Sequence, residues 1–107
     1  METSNPILTK LRAALAEMYG ARVERVVLYG SRARGDARAN SDYDVAVFLK
    51  DMQGAADRWA EADKIAVAAT DILMETGAVI NAVPFRAGSY QERTPLMHEI
   101  RREGLDL

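Results

Sequence analysis

Residues 29–47 read YGSRARGDARANSDYDVAV, and this stretch decides how the chain is interpreted. A β-branched apolar run ends there in a Gly-Ser turn, and ten residues separate the serine from the pair Asp42 and Asp44, which opens a second apolar run. Three arginines lie in between. Chemistry on the phosphates of a nucleoside triphosphate requires close approach of backbone to phosphate, positive charge beside it and paired carboxylates that hold Mg2+. The stretch supplies all three and therefore predicts a metal-dependent site for phosphate chemistry.

Signals for helices and strands alternate along the whole chain. The predicted elements are a helix over 6–19 with Asn5 as its N-cap, a strand over 23–29, one helical turn over 31–35, a strand over 42–49, a helix over 55–75, a strand over 78–85, and a helix over 95–103 between Thr94 and Gly104. This order predicts one α+β domain, residues 1–107, an α/β sandwich whose small mixed sheet is covered on one face by helices. Trp59 falls in the apolar stripe of the long helix and is predicted to be core. Pro84 predicts that the end of the third strand lies at a sheet edge or outside the ladder.

Composition excludes several functional classes. The 107 residues include no cysteine and a single histidine, His98, so disulfides, thiolate metal sites and a Ser-His-Asp triad are excluded. The net charge of −2 gives no global basic field and hence no strong sign of direct nucleic-acid binding. No apolar run approaches membrane-spanning length and no leader pattern is seen, so the expected location is the cytoplasm.

The aspartate pair is the first candidate site. Alternate side chains of a strand share a face, so Asp42 and Asp44 are expected to point the same way, with Cα atoms roughly 6.6 Å apart. Two carboxylates at that spacing can chelate one Mg2+. Taken alone, an Asp-x-Asp pair is more often the solvated start of an edge strand, and that reading stays open on spacing alone.

The Gly-Ser turn is the second candidate. Gly30 permits a tight turn and close approach of backbone to phosphate, and Ser31 offers a hydroxyl at a helical start. Arg34 is the best candidate for a phosphate clamp because a guanidinium engages two oxygens at once, and Arg32 and Arg38 are weaker candidates. Taken alone, a strand-ending glycine followed by a capping serine is the more ordinary interpretation.

The combination of the two candidates resembles a known signature. Gly-Ser, ten residues and Asp-x-Asp resemble the polymerase-β-type nucleotidyltransferase superfamily, and the string GSRARGDARANSDYDVAV resembles its minimal nucleotidyltransferase (MNT) family. The resemblance implies a palm-like fold, Mg2+, and ATP as the usual substrate. It implies that Asp42 and Asp44 are catalytic metal ligands, that Gly30 and Ser31 hold the triphosphate, and that Arg34 supports it. It also implies a partner, since family members are commonly antitoxins of helical HEPN-type toxins, which they AMPylate on tyrosine or simply bind.

One position departs from the superfamily pattern, which usually adds a third carboxylate from a neighbouring strand. The central polar residue of the third predicted strand is Asn81, whose amide oxygen can ligate a metal but cannot act as a base. Two hypotheses therefore stay open: transfer of AMP from ATP to a hydroxyl of a partner protein, and a catalytically degenerate antitoxin that acts by binding alone. A free-standing transferase acting on a small molecule or RNA 3′ ends is weaker, because a chain of this size leaves little room for an acceptor domain. A homo-oligomer is also compatible with the helix faces.

Overall fold

A computed structural model describes residues 5–107 of the chain, so the first four residues of the predicted domain lie outside the described part. The elements are α1 (Pro6–Tyr19), β1 (Val23–Tyr29), α2 (Ser31–Arg34), β2 (Tyr43–Leu49), α3 (Gly54–Thr76), β3 (Ile80–Arg86), α4 (Pro95–Glu103) and β4 (Leu105–Asp106), with 3-10 turns at Gly20–Arg22 and Ser89–Gln91. Among these residues no helix has both the length and the apolar character needed to cross a bilayer.

The strands form a mixed four-stranded sheet in the order β3-β2-β1-β4, which confirms the predicted α+β class. β2 is antiparallel to β1 and parallel to β3, and the two-residue β4 lies antiparallel on the far edge of β1. The sequence analysis did not predict β4, because two residues carry no strand periodicity. The predicted edge position of Pro84 is confirmed. The backbone groups of Val79 and Ala87 hydrogen-bond to β2, so it is the odd-numbered residues of β3 that bond to this neighbour. The backbone nitrogen of Pro84 is on the outer side of the strand, and its missing N–H removes no ladder bond.

The core lies on both faces of the sheet. On one face α1 and α3 bury side chains such as Leu11 and Ile65 against the strands, and on the other Met97 and Ile100 of α4 pack on Phe48. The prediction of helices on a single face is therefore wrong. The physical reason lies in β2, where every residue from 45 to 49 is fully buried: a continuous apolar run is typical of a strand covered on both sides.

The apolar stripe of α3 is narrower than predicted. Ile65 and Ile72 are buried as expected, but Trp59 is 73% exposed and Leu73 is 39% exposed. The prediction that Trp59 is core is therefore wrong. The buried positions 61, 65 and 72 define one line along the helix, and the indole lies outside that line.

A buried polar contact joins α1 to α3. Glu61 is only 7% exposed, and the Tyr19 hydroxyl donates a hydrogen bond of 2.8 Å to its carboxylate. Arg22 donates to the other oxygen at 3.3 Å. Burial raises the pKa of the Tyr19 phenol, and the hydrogen bond to Glu61 and the negative charge of Glu61 raise it further. The native state therefore holds the Tyr19 proton more tightly than the unfolded chain does.

This linkage predicts an alkaline loss of stability that depends on Tyr19. The contribution is fully present below the unfolded pKa of about 10 and is lost as pH rises from there toward the higher native pKa. The Tyr19→Phe variant should be destabilised by about 1–3 kcal/mol at pH 7, since Glu61 loses a partner. Its unfolding free energy should also fall less steeply than that of the wild type above pH 10, as measured by urea unfolding followed by circular dichroism. Tyr90→Phe, whose ring packs on Phe48, is the matched control and should keep the wild-type slope. Equal slopes for wild type and Tyr19→Phe would contradict the assignment.

Candidate active site

Strand order brings the two halves of the motif to one end of the sheet. The end of β1 lies beside the start of β2 because these two strands are antiparallel. The start of β3 also lies beside the start of β2, because those two strands are parallel. In this register Asp44 lies between Tyr29 on one side and Asn81 on the other. Alternation along β2 puts Asp44 on the same face as Ala46 and Phe48, which is the face that α4 covers.

The two aspartates converge on one neighbour. The Asn81 side-chain nitrogen donates to Asp42 at 3.0 Å and to Asp44 at 3.5 Å. Asp42 precedes β2, where it is exposed, and Asp44 is partly buried in the strand. The structure therefore brings the predicted pair together, with carboxylate oxygens directed at a common point. Like charges repel at such range, and the amide hydrogens of Asn81 offset that repulsion.

Gly30 lies directly against this pair. Its backbone has φ +77° and ψ −158°, a region used essentially only by glycine. A Cβ at this position would lie 2.5 Å from a carboxylate oxygen of Asp44. Ser31 follows as the first residue of α2, and its carbonyl accepts bonds from the backbone of Gly35 and Asp36 at 3.0 and 3.1 Å. The Gly-Ser turn thus lies directly against Asp44, and the predicted approach of its backbone to a phosphate stays a prediction.

The Arg34 side chain contacts acidic residues other than the aspartate pair. Its guanidinium donates to Asp36 at 3.2 Å and to Glu103 of α4 at 3.1 Å. These hydrogen bonds raise the pKa of Arg34, so the guanidinium is cationic at neutral pH. In this structure the cation is satisfied by two carboxylates, and any phosphate would have to compete with them.

Tyr29, the last residue of β1, is a further neighbour of the site. Burial raises the pKa of its phenol, and the negative charges of Asp44 and Glu99 raise it further. The phenol therefore stays protonated at neutral pH. The signal that identifies it is the cross-strand pairing of Tyr29 with Asp44, which cannot be read before the register is known.

The donor set can be tested against a divalent metal. Within residues 5–107 no cluster of three or more His, Cys, Asp or Glu side chains is placed to hold an ion. The two convergent carboxylates are nonetheless a set that fits Mg2+, because this ion usually keeps its waters and takes one or two carboxylates together with substrate phosphates. The two carboxylates alone would leave most of the coordination positions of such an ion to other ligands.

Comparison with known proteins gives a consistent result. The family model described as a nucleotidyltransferase domain matches residues 8–94. A candidate protein adenylyltransferase of Methanocaldococcus jannaschii is 34% identical over 70 residues, which is 65% of this chain and 61% of the relative, so the match spans less than two thirds of that protein. A chain from a toxin–antitoxin complex with AMP-PNP superimposes with a TM-score of 0.63 and 20% identity over 92% of this chain and 69% of its own length. A chain from the complex of a tri-AMPylated Shewanella oneidensis HEPN toxin with MNT antitoxin superimposes with a TM-score of 0.50 and 18% identity, over 94% of this chain and 64% of its own length. These two structures establish likeness of fold.

The contact between Gly30 and Asp44 predicts a specific pair of stability effects. Gly35→Ala is the matched control, because Gly35 also has positive φ but has open space where a Cβ would lie. That control should cost about 1–2 kcal/mol of unfolding free energy. Gly30→Ala should cost more, because the new methyl group meets the Asp44 carboxylate. Chemical denaturation of the two variants measures the difference.

A double-mutant cycle isolates the carboxylate contact. In an Asp44→Ala background the Gly30→Ala change should cost less than in the wild type, by about 1 kcal/mol, because the clashing oxygen is gone. Strict additivity of the two changes would show that the carboxylate does not press on the Gly30 backbone.

Proposed function

The chain belongs to the nucleotidyltransferase domain family, and on that premise we propose that it transfers AMP from ATP, with Mg2+, to a hydroxyl group of a partner protein. The observation that carries the proposal is the convergence of Asp42 and Asp44 on one point beside the Gly30 backbone. The name of the Methanocaldococcus jannaschii relative, a candidate protein adenylyltransferase, supports the same reaction class.

In this proposal each half of the motif has a defined task. Asp42 and Asp44 would hold Mg2+, which when bound neutralises phosphate charge and orients the triphosphate. The backbone and hydroxyl at Gly30 and Ser31 would receive the triphosphate, since a glycine backbone has no Cβ to obstruct a phosphate. Arg34 would exchange its carboxylate partners for phosphate oxygens.

The reaction itself is a displacement at phosphorus. A hydroxyl oxygen of the partner attacks the α-phosphorus of ATP in line, the bond from that phosphorus to the bridging oxygen breaks, and pyrophosphate leaves. The hydroxyl proton needs an acceptor. Asn81 cannot be that acceptor because a neutral amide has no basic site, so the partner or solvent supplies the base in the transfer we propose.

For the partner we propose a HEPN-type toxin, with this chain as its antitoxin in the cytoplasm, where ATP is available. The support is likeness of fold to a chain from a complex that contains an AMPylated HEPN toxin and an MNT antitoxin.

A second candidate function is neutralisation of the toxin by binding alone. The observation that favours it is Asn81, which lies opposite Asp44 in the parallel ladder and occupies the space between the two carboxylates with an amide. In that case the fold serves as a binding surface and nucleotide is dispensable.

Replacement of one carboxylate separates the two candidates. Asp44→Asn should reduce transfer of labelled AMP from ATP to the proposed HEPN-type partner by at least about 100-fold, because it removes a metal ligand while preserving size. Asp63→Asn, an exposed carboxylate on α3, is the matched control and should label at the wild-type rate. Undiminished labelling in Asp44→Asn would show that the metal role is assigned wrongly. Persistent toxin inhibition by the Asp42→Ala, Asp44→Ala double variant without nucleotide would favour binding alone.

A further inference from the structure

We infer that Arg32 is the positioning residue for Asp42: its guanidinium fixes the loop that delivers this carboxylate and so ties the Gly-Ser turn to the metal-binding pair. The inference rests on the proposed function, because it assigns a role toward the metal that Asp42 and Asp44 would hold. From the sequence alone, Arg32 is a weaker candidate than Arg34 for binding phosphate.

The contacts of Arg32 are with backbone rather than with acids. Its Nε donates to the Ser41 carbonyl at 2.9 Å, and one terminal nitrogen donates to the carbonyls of Ala39 and Arg38 at 3.2 and 3.4 Å. All three acceptors belong to the segment of residues 36–42, which forms neither helix nor strand. A planar guanidinium with five donors can satisfy several carbonyls at once, which a lysine ammonium on a flexible stem does less well.

The same side chain also touches the residue on the other side of Asp42. The guanidinium carbon of Arg32 lies 4.0 Å from the centre of the Tyr43 ring, a cation–π contact. Tyr43 is buried, and its hydroxyl accepts a hydrogen bond of 3.2 Å from Asn5, the N-cap of α1. Arg32 therefore holds both chain neighbours of Asp42, one by a hydrogen bond and one by its ring.

Asp42 itself has little else to orient it. Its side chain is exposed, precedes β2, and receives the Asn81 amide at 3.0 Å. Ordering loop backbone costs conformational entropy, so a short irregular segment needs such bonds to present one geometry. Within the loop, Ser41 adds a turn by bonding to the backbone of Arg38 at 2.9 and 3.0 Å. Arg32 anchors that turn to α2.

The three arginines of the motif thus separate by what they contact. Arg34 contacts the carboxylates of Asp36 and Glu103. Arg32 contacts backbone carbonyls of the loop that precedes Asp42. Arg38 is exposed, and only its main chain takes part in the loop contacts described above. Removal of a group that orients a metal ligand typically lowers metal affinity by about 10–100-fold. Arg32 acts on Asp42 through its chain neighbours Ser41 and Tyr43, whereas loss of the Arg38 side chain leaves every one of these bonds in place.

The test is Mn2+ binding to the folded chain, with and without ATP, followed by electron paramagnetic resonance; Mn2+ prefers the same hard oxygen ligands as Mg2+. Arg32→Ala should weaken Mn2+ binding by about 10-fold or more in the presence of ATP. Arg38→Ala removes the same charge from the same loop but keeps its carbonyl, and should bind Mn2+ as the wild type does. Arg32→Lys should fall between, since it keeps the charge but loses most of the donors, and it decides the matter if Arg32→Ala does not fold.

The outcomes are distinguishable. Wild-type affinity in both Arg32 variants, whatever their melting temperatures, would make Arg32 a purely structural residue and overturn this inference while leaving the proposed function intact. Equal weakening by Arg32→Ala and Arg38→Ala would show that net charge matters rather than position, and would overturn it as well. Absence of Mn2+ binding by the wild-type chain would overturn the proposed function and this inference together.

Discussion

The approach of the Asp44 carboxylate to the Gly30 backbone is the constraint on which the site depends. A side chain at position 30 would place its Cβ 2.5 Å from an Asp44 oxygen, so the contact exists only with glycine. It requires β1 to end and β2 to begin at the same level of the sheet, which the pairing of Tyr29 with Asp44 provides. The parallel pairing of β2 with β3 then places Asn81 on the other side of Asp44.

Charge around this contact is distributed in a way that the motif alone does not reveal. The arginines would provide a uniform positive surface if all faced the aspartates. Instead Arg34 pairs with Glu103 at 3.1 Å and Arg32 binds backbone carbonyls, so neither guanidinium contacts the aspartate pair. The two carboxylates are left with an amide as their direct partner. Such an arrangement keeps a strong attraction for a cation, because an amide dipole offsets only part of two negative charges.

Local elements of this fold are predictable from sequence, and contacts between elements are not. The bounds of α1, β1 and α4 agree with the prediction because caps such as Asn5 and Thr94 mark helix starts through bonds to nearby backbone. The face on which α4 packs, and the exposure of Trp59, depend on which surfaces meet in space. The same distinction applies at the site: spacing indicates Asp42 and Asp44, but only the tertiary structure separates the tasks of Arg32 and Arg34.

The neighbours of Asp44 also constrain how a transfer reaction can proceed. On one side the ladder presents Asn81, a neutral amide, and on the other Tyr29, whose phenol is kept protonated by burial and by the charges of Asp44 and Glu99. Asn81 donates hydrogen bonds to both aspartates, and neither Asn81 nor the protonated Tyr29 accepts a proton readily at neutral pH. Under the proposed function, the aspartates are engaged with the metal, so the proton of the acceptor hydroxyl has no base among their ladder neighbours. Under the same proposal the base comes from the partner or from solvent, and a partner that brings a base together with its hydroxyl would couple catalysis to recognition of the correct partner.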